Sequence, residues 1–154
     1  MDSKQLYQEV ILDHNKKPRN YGQLAAPSHR SEGVNPLCGD HIWVSLRVGG
    51  DRIDEIAFEG QSCAICKASA SMMTTAVKGK TVSEAESLVE GFRAMVTGSA
   101  DPGPELKRLT VFAGIKDLPS RVKCAVLPWH TLHAAFAAQD TATTEGDADP
   151  AASA

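Results

Sequence analysis

Apolar and polar residues alternate along one stretch of the chain, residues 41–48. This period of two is typical of a strand with one buried face. The apolar face consists of Ile42, Val44, Leu46 and Val48. Residues 49–52 are rich in turn formers, and residues 53–60 are predicted to return as a second, antiparallel strand. We expect a third strand within residues 31–37.

Helical spacing of apolar residues dominates most of the remaining chain. The predicted helices are residues 3–15, 63–77, 84–97, 105–115 and a last one running through 124–138. Ser83 and Glu86 have the spacing of a capping box at the start of the third helix. The pattern therefore predicts an α+β fold, in which a small antiparallel three-stranded sheet is packed by about five helices.

The composition limits the classes of function. A length of 154 residues with 42% hydrophobic residues suits one domain with an aliphatic core. The net charge of −3 argues against a broad basic face for nucleic acid. The sequence has no apolar run long enough for a membrane span and no secretory signal pattern. We therefore expect a cytoplasmic protein without nucleic-acid or membrane partners.

The charge is concentrated at the C-terminal end of the sequence. Residues 139–154 contain four acidic side chains and no Lys or Arg, and without those acids the charge of −3 becomes +1. This segment also lacks apolar periodicity. We expect an acidic, disordered tail at 139–154 and a folded domain at 1–138.

Four cysteines in a cytoplasmic chain favour metal or thiol chemistry over a disulfide framework. Cys38 lies in a predicted turn, Cys63 between a strand and a helix, and Cys124 near the start of the last helix. Asp40 is two residues from Cys38. Three thiolates and one carboxylate would make a reasonable tetrahedral zinc site.

Two alternatives remain open at this point. Isolated cysteines are often small buried hydrophobic residues, and these four do not form the compact paired spacing of a zinc finger. Cys63 and Cys66 have the CxxC spacing of redox motifs, and they follow a strand and open a helix. Cys66 could also simply point into the core.

Four segments together resemble the IscU/NifU-like family of iron–sulfur cluster assembly proteins. They are ILDHNKKPRNYG, NPLCGD, GQSCAICKASASMMT and RVKCAVLPWHTL, and the resemblance extends over about residues 5–138. Within the family the SufU type is most similar. Two features point to it: the longer stretch between Cys63 and Cys124, and Lys123, which stands where IscU-type proteins carry a histidine ligand.

The resemblance implies an IscU-like fold and a metal site at the family's positions. Those positions are Cys38, Asp40, Cys63 and Cys124. In the SufU type this site holds zinc, and the residue matching Cys38 accepts sulfur from a SufS-type cysteine desulfurase. Arg121 matches an arginine beside that zinc. Cys66 departs from the family pattern, and we expect it not to be a ligand.

The leading hypothesis is a zinc-dependent sulfur acceptor, a sulfurtransferase-like carrier that receives persulfide sulfur on Cys38 and serves a downstream iron–sulfur assembly complex. The first alternative is a scaffold on which iron, as a [2Fe–2S] cluster, is assembled at the same residues. A thiol–disulfide oxidoreductase using Cys63 and Cys66 is an alternative of another class. A purely structural zinc domain that binds a partner is a further alternative.

Overall fold

The two alternating stretches form a hairpin at the centre of a sheet in the computed structural model, which describes residues 2–144. Strands β1 (His29–Asn35), β2 (Asp40–Gly49) and β3 (Arg52–Gln61) pair in antiparallel fashion. A short fourth strand, β4 (Thr141–Thr143), pairs in parallel with β1. The sheet is therefore mixed and has four strands in the order β3-β2-β1-β4, rather than the three expected.

Five helical segments pack with this sheet. They are α1 (Ser3–Lys16), α2 (Ala64–Val77), α3 (Val82–Val96), a 3₁₀ segment (Pro104–Ile115) and α4 (Pro119–Phe136). The 3₁₀ segment is broken at Lys107, whose φ of 49° lies in the left-handed region. Within residues 2–144, no helix has both the length and the apolar character that a membrane span requires.

The N-cap of helix α3 is Thr81, two residues before Ser83, where the predicted capping box begins. The observed box uses Thr81 and Glu84, not Ser83 and Glu86. The Glu84 N–H donates to the Thr81 hydroxyl at 3.1 Å, and the Thr81 N–H donates to the Glu84 carboxylate at 2.9 Å. Both pairs have the same spacing, but Thr81 also forms a backbone bridge with Arg52 at the end of the β2–β3 hairpin. That tertiary contact fixes the start of the helix.

The apolar face of β2 packs against α4 as the alternation predicts. Ile42, Val44 and Leu46 are fully buried, and so are Trp129 and Leu132 of α4. Each such side chain contributes roughly 2 kcal/mol through removal from water. Gly33 of β1 allows the close approach of α4, because a Cβ there would lie 2.0 Å from the Thr131 hydroxyl oxygen.

The first residues of the expected acidic tail are part of the sheet. The Glu32 N–H donates to the carbonyl of Asp140 at 2.8 Å, and the Thr144 N–H donates to the carbonyl of Val34 at 3.1 Å. Three residues, Thr-Ala-Thr, are too short a segment for a strand pattern to be visible in the sequence. The rest of the expected tail, residues 145–154, lies outside the described part of the chain.

Candidate metal centre

The turn between β1 and β2 brings Cys38 and Asp40 to one edge of the sheet. The Cys38 N–H donates to the carbonyl of Asn35 at 3.3 Å, which closes the turn. Gly39 has a φ of 73°, a conformation that side chains rarely adopt. As a result Cys38 is exposed, whereas Asp40 is buried with only 1% of its surface accessible.

Two hydrogen bonds hold the buried carboxylate of Asp40. One oxygen accepts the backbone N–H of Cys63 at 2.8 Å, and the other accepts the side-chain amide of Asn35 at 3.1 Å. A buried ionised carboxylate is costly unless donors such as these compensate it. The carboxylate thus ties the β1–β2 turn to the beginning of α2.

Cys63 is the N-cap of α2. Its sulfur accepts the backbone N–H of Cys66 at 3.4 Å. A hydrogen bond with the Cys124 thiol is the main cause that lowers the pKa of Cys63 to about 7, and burial opposes it. A thiol with such a pKa is substantially ionised at neutral pH, and thiolate is the form that binds metals.

Cys124 lies in the second turn of α4, not at its first residue. Its sulfur is 3.3 Å from the Cys38 sulfur and 3.6 Å from the side-chain nitrogen of Asn35. Hydrogen bonding to Cys63, followed by burial, raises the pKa of Cys124. Pro128 has no N–H to donate to the carbonyl of Cys124, so this carbonyl lacks its helical partner.

Four side chains from three separate elements therefore converge. The candidate ligand atoms of Cys38, Asp40 and Cys124 all lie within 4.8 Å of one another. The Cys63 sulfur lies beside them, 4.0 Å from an Asp40 oxygen. Three sulfurs and a carboxylate oxygen suit a borderline-soft ion such as Zn²⁺. We call these four residues the thiol cluster.

The basic residues predicted near the cluster lie on α4. Arg121 is exposed and precedes Cys124 by three residues, which places it on the same side of the helix. Its positive charge acts on the hydroxyl of Tyr7, as do the sulfurs of Cys63 and Cys124. Lys123 is half-buried. The structure thus brings Arg121 and Tyr7 into the surroundings of the cluster.

Cys66 is separated from the cluster by its burial. Its side chain is completely inaccessible and packs within the apolar core, although it is only three residues from Cys63. Burial is the main cause that raises the pKa of its thiol well above the usual value. A buried, protonated thiol is poorly suited to disulfide exchange, which argues against the CxxC oxidoreductase hypothesis.

Sequence reasoning missed two residues of this region. Asn35 is fully buried, and its amide connects Asp40 and Cys124 while it accepts the Thr144 hydroxyl at 2.9 Å. It opens the NPLCGD motif, which was the available signal. Tyr7 lies within the helix predicted for residues 3–15, and its hydroxyl is buried and has no hydrogen-bond partner in residues 2–144.

The sequence and the fold of the chain match a known family. Residues 6–145 match the model of the NifU-like N-terminal domain, and the chain belongs to that family. The α+β fold is confirmed by a crystal structure described as a candidate iron–sulfur cluster assembly scaffold protein for the SUF system from Fervidobacterium islandicum AW-1. That structure is 34% identical in sequence and superposes with a TM-score of 0.81. The match covers 88% of this chain and 99% of the other.

Two curated relatives cover most of the chain. The zinc-dependent sulfurtransferase SufU of Bacillus subtilis is 40% identical over 136 residues, which is 88% of this chain and 92% of the relative. The iron–sulfur cluster assembly scaffold protein IscU of Streptococcus pyogenes is 41% identical over 138 residues, or 85% and 82% of the two chains. One of these relatives is thus described as a sulfurtransferase and the other as a scaffold, which correspond to the leading hypothesis and its first alternative.

Proposed function

We propose that this protein acts in iron–sulfur cluster assembly as a sulfur carrier that receives persulfide sulfur on Cys38. Membership of the NifU-like family and the similarity to a zinc-dependent sulfurtransferase support this proposal. The partner would be a SufS-type cysteine desulfurase, and a downstream iron–sulfur assembly complex in the cytoplasm would take the sulfur. Residues 1–138 would carry this function.

The residues proposed to hold a zinc ion are Cys38, Asp40, Cys63 and Cys124. When bound there, zinc would keep the sulfurs as thiolates and restrain their nucleophilicity. Asn35 would orient the Asp40 carboxylate through its amide, 3.1 Å away. Such outer contacts commonly tune ligand geometry and affinity.

The observation that carries the proposal is the accessibility of Cys38. Among the four cysteines it alone is exposed, while Cys63 is half-buried and Cys66 and Cys124 are buried. Its turn is stabilised by Asn35 and Gly39 rather than by packing on both sides. A large partner that carries a persulfide would therefore reach Cys38 before any other sulfur of the cluster.

The proposed transfer is a thiol exchange. The Cys38 thiolate attacks the outer sulfur of the partner's cysteine persulfide, a new S–S bond forms on Cys38, and the partner's S–S bond breaks. The partner's cysteine leaves as a thiolate with the electron pair of that bond. Arg121 carries the positive charge that would favour the anionic persulfide on Cys38.

Mass spectrometry of the protein after incubation with a cysteine desulfurase and cysteine tests the proposal. We expect one added sulfur on Cys38, removed by a thiol reductant. The Cys38→Ala variant should gain none, and the Cys66→Ala variant should behave as the unchanged protein. Sulfur addition that persists in the Cys38→Ala variant, or falls on Cys66, would refute the role of Cys38.

A second candidate function is a scaffold for a [2Fe–2S] cluster. It is favoured by the donor set itself, because three cysteines and a carboxylate also suit iron, and by the similarity to a protein named IscU. Anaerobic incubation with ferrous iron and sulfide separates the two functions. A stable visible chromophore that can be transferred to an apo-protein would favour the scaffold, and its absence would favour the carrier.

A further inference from the structure

A cavity of about 600 Å³ lies away from the thiol cluster. It opens to solvent and is lined by the end of α1, the second half of α2, the start of α3 and the 3₁₀ segment. Met72 on its wall is nine residues beyond Cys63, which is roughly 14 Å along a helix. The volume is within the range of small-molecule sites. We call it the interhelical cavity.

The deepest part of the interhelical cavity is apolar. Four of its lining residues are buried core side chains with no more than 6% of their surface accessible, namely Met72, Leu88, Leu106 and Leu109. They come from α2, α3 and the 3₁₀ segment. Such a surface cannot bind a small, strongly hydrated ion by itself, but it would favour the apolar part of an organic molecule.

Positive charges without ion-pair partners surround the opening. Lys80, Lys107 and Arg108 line the cavity, and none of them forms a salt bridge with another residue in the range 2–144. They are exposed, so their side chains can reach a ligand. In a chain of net charge −3, this opening is locally rich in cations.

The acidic residues of the cavity are less available. Asp13 accepts a hydrogen bond from the Arg19 guanidinium at 2.8 Å, and Glu84 is engaged in the capping box of α3. The carboxylates of Glu84 and Glu105 together offset two of the three positive charges of Lys80, Lys107 and Arg108. The uncompensated charge at the opening is consequently positive, which favours an anion.

His14 adds a polar ring to the lining of the cavity. Its Nδ1 lies 2.7 Å from the Ser71 hydroxyl oxygen, which also accepts the Arg19 backbone N–H at 2.8 Å. Burial, followed by the charge of Arg19, lowers the pKa of His14 and keeps the ring neutral.

We propose that the interhelical cavity binds a small amphipathic organic anion. The ligand has an aromatic or aliphatic body, which rests on the apolar floor, and a carboxylate, sulfonate or phosphate group, which meets Lys80, Lys107 and Arg108. The site is independent of sulfur transfer, because its lining contains no residue of the thiol cluster.

Two matched fluorescent probes test this proposal on the full-length protein as purified. One is 8-anilinonaphthalene-1-sulfonate, and the other is N-phenyl-1-naphthylamine, which has the same rings without the sulfonate. We expect one sulfonate probe per protein and at least about tenfold weaker binding of the uncharged probe, because only the sulfonate can form charge-assisted hydrogen bonds with the cations at the opening.

Variants of the cavity distinguish a specific site from adventitious dye binding. The double variant Lys80→Gln with Arg108→Gln should lose about tenfold in affinity for the sulfonate probe and keep its affinity for the uncharged one. Ser87→Trp, a change at an exposed lining position, should block both probes. Lys4→Ala, at an exposed position of α1 outside the cavity, should change neither.

Circular dichroism and thermal unfolding establish that each variant is folded. Equal affinities for the two probes would overturn the proposal, and so would unchanged binding of the sulfonate probe to the folded Ser87→Trp variant. Sulfur acceptance on Cys38 should be retained in the cavity variants. A failure of the cavity proposal can therefore be distinguished from a failure of the proposed function.

Discussion

The thiol cluster and the core around Cys66 meet within the first turn of α2, yet they impose opposite chemistry on sulfur. Cys63 caps the helix, shares a hydrogen bond with Cys124 and has a pKa lowered to about 7. Cys66, three residues later, is fully buried and its pKa is raised. One turn of helix is enough to separate a sulfur of the thiol cluster from a sulfur packed in the core.

The difference lies in what surrounds each sulfur. In the thiol cluster, Asn35 and backbone N–H groups give the buried carboxylate and thiols hydrogen-bond partners. Around Cys66 the neighbours belong mainly to the apolar core, which penalises a charged thiolate. The ionisation of a cysteine therefore depends less on its place in a CxxC motif than on the environment that surrounds its sulfur.

The largest expected contrast is in zinc affinity. A structural zinc site with four ligands contributes about 10–16 kcal/mol, so loss of one ligand should weaken binding about 100- to 1,000-fold. We expect this loss for Cys124→Ala and no loss for Cys66→Ala. Competition with a chromophoric chelator measures both. If Cys66→Ala lost zinc to the same degree, Cys66 would belong to the site and the contrast would disappear.

Asn35→Ala should have the next largest effect. It removes the amide donor to Asp40 and Cys124 without removing a ligand, and such outer contacts are worth about 10- to 100-fold in metal affinity. The same chelator competition measures it. Ser69→Ala is a suitable control, because Ser69 is also fully buried but bonds to Ala125 and Trp129. Equal zinc loss in both variants would point to general destabilisation.

In the metal-free, reduced protein, the shifted pKa values of the cysteines should make the free energy of unfolding depend on pH. The pKa of Cys63 is lowered from 9.0 to about 7, so between these values the unfolded chain holds a proton that the folded protein has released. The free energy of unfolding should therefore rise with pH from about 7 to about 9. Above pH 9 it should fall, because the raised pKa values of Cys66 and Cys124 keep protons on the folded protein.

Urea unfolding across this pH range measures the effect. The Cys63→Ser variant should lack the rise between pH 7 and 9 and show a smaller decline above it, because Cys63 is the main cause of the raised pKa of Cys124. A rise that survives in this variant would assign the titration to another group.

Cys66→Ser should reduce stability rather than zinc binding. Burying a hydroxyl in place of a thiol costs about 1–3 kcal/mol, and we expect the lower end because the Ser62 side chain hydrogen-bonds with Cys66. Urea unfolding of the zinc-loaded protein measures the cost. Cys66→Ala, which introduces no hydroxyl, gives the reference for lost volume. A stable Cys66→Ser protein that fails to bind zinc would contradict the assignment of Cys66 to the core.

Tyr7→Phe should have the smallest effect on stability, and any change should be an increase rather than a loss. The Tyr7 hydroxyl is buried without a hydrogen-bond partner in the described chain, while its ring packs edge-on against Phe112. Removing the hydroxyl should leave stability unchanged or raise it by up to about 1 kcal/mol. Tyr21→Phe is the matched control and should lose stability, because the Tyr21 hydroxyl donates to the carbonyl of Gly60 at 3.1 Å. A marked loss for Tyr7→Phe would reveal a partner in the native protein.

Much of the fold was predictable from periodicity. The alternation that begins at Ile42 identified the buried face of β2, and the helical segments follow the expected order. β4 could not be predicted, because so short a segment (Thr-Ala-Thr) forms a strand only when β1 offers a free edge. The start of α3 was misplaced for a related reason: two capping boxes of equal local quality compete, and the bridge to Arg52 selects Thr81.

The candidate site, like the fold, was predictable in part from the local sequence, and the rest depended on tertiary packing. Local sequence alone placed Cys38 in a turn and Cys63 at the start of a helix, because glycine, proline and helix periodicity act over a few residues. It could not bring Cys124 to 3.3 Å from Cys38, 86 positions away along the chain, or bury Asn35 between Asp40 and Cys124. Those contacts depend on α4 packing across β1, which burial of the whole core imposes and no single segment encodes.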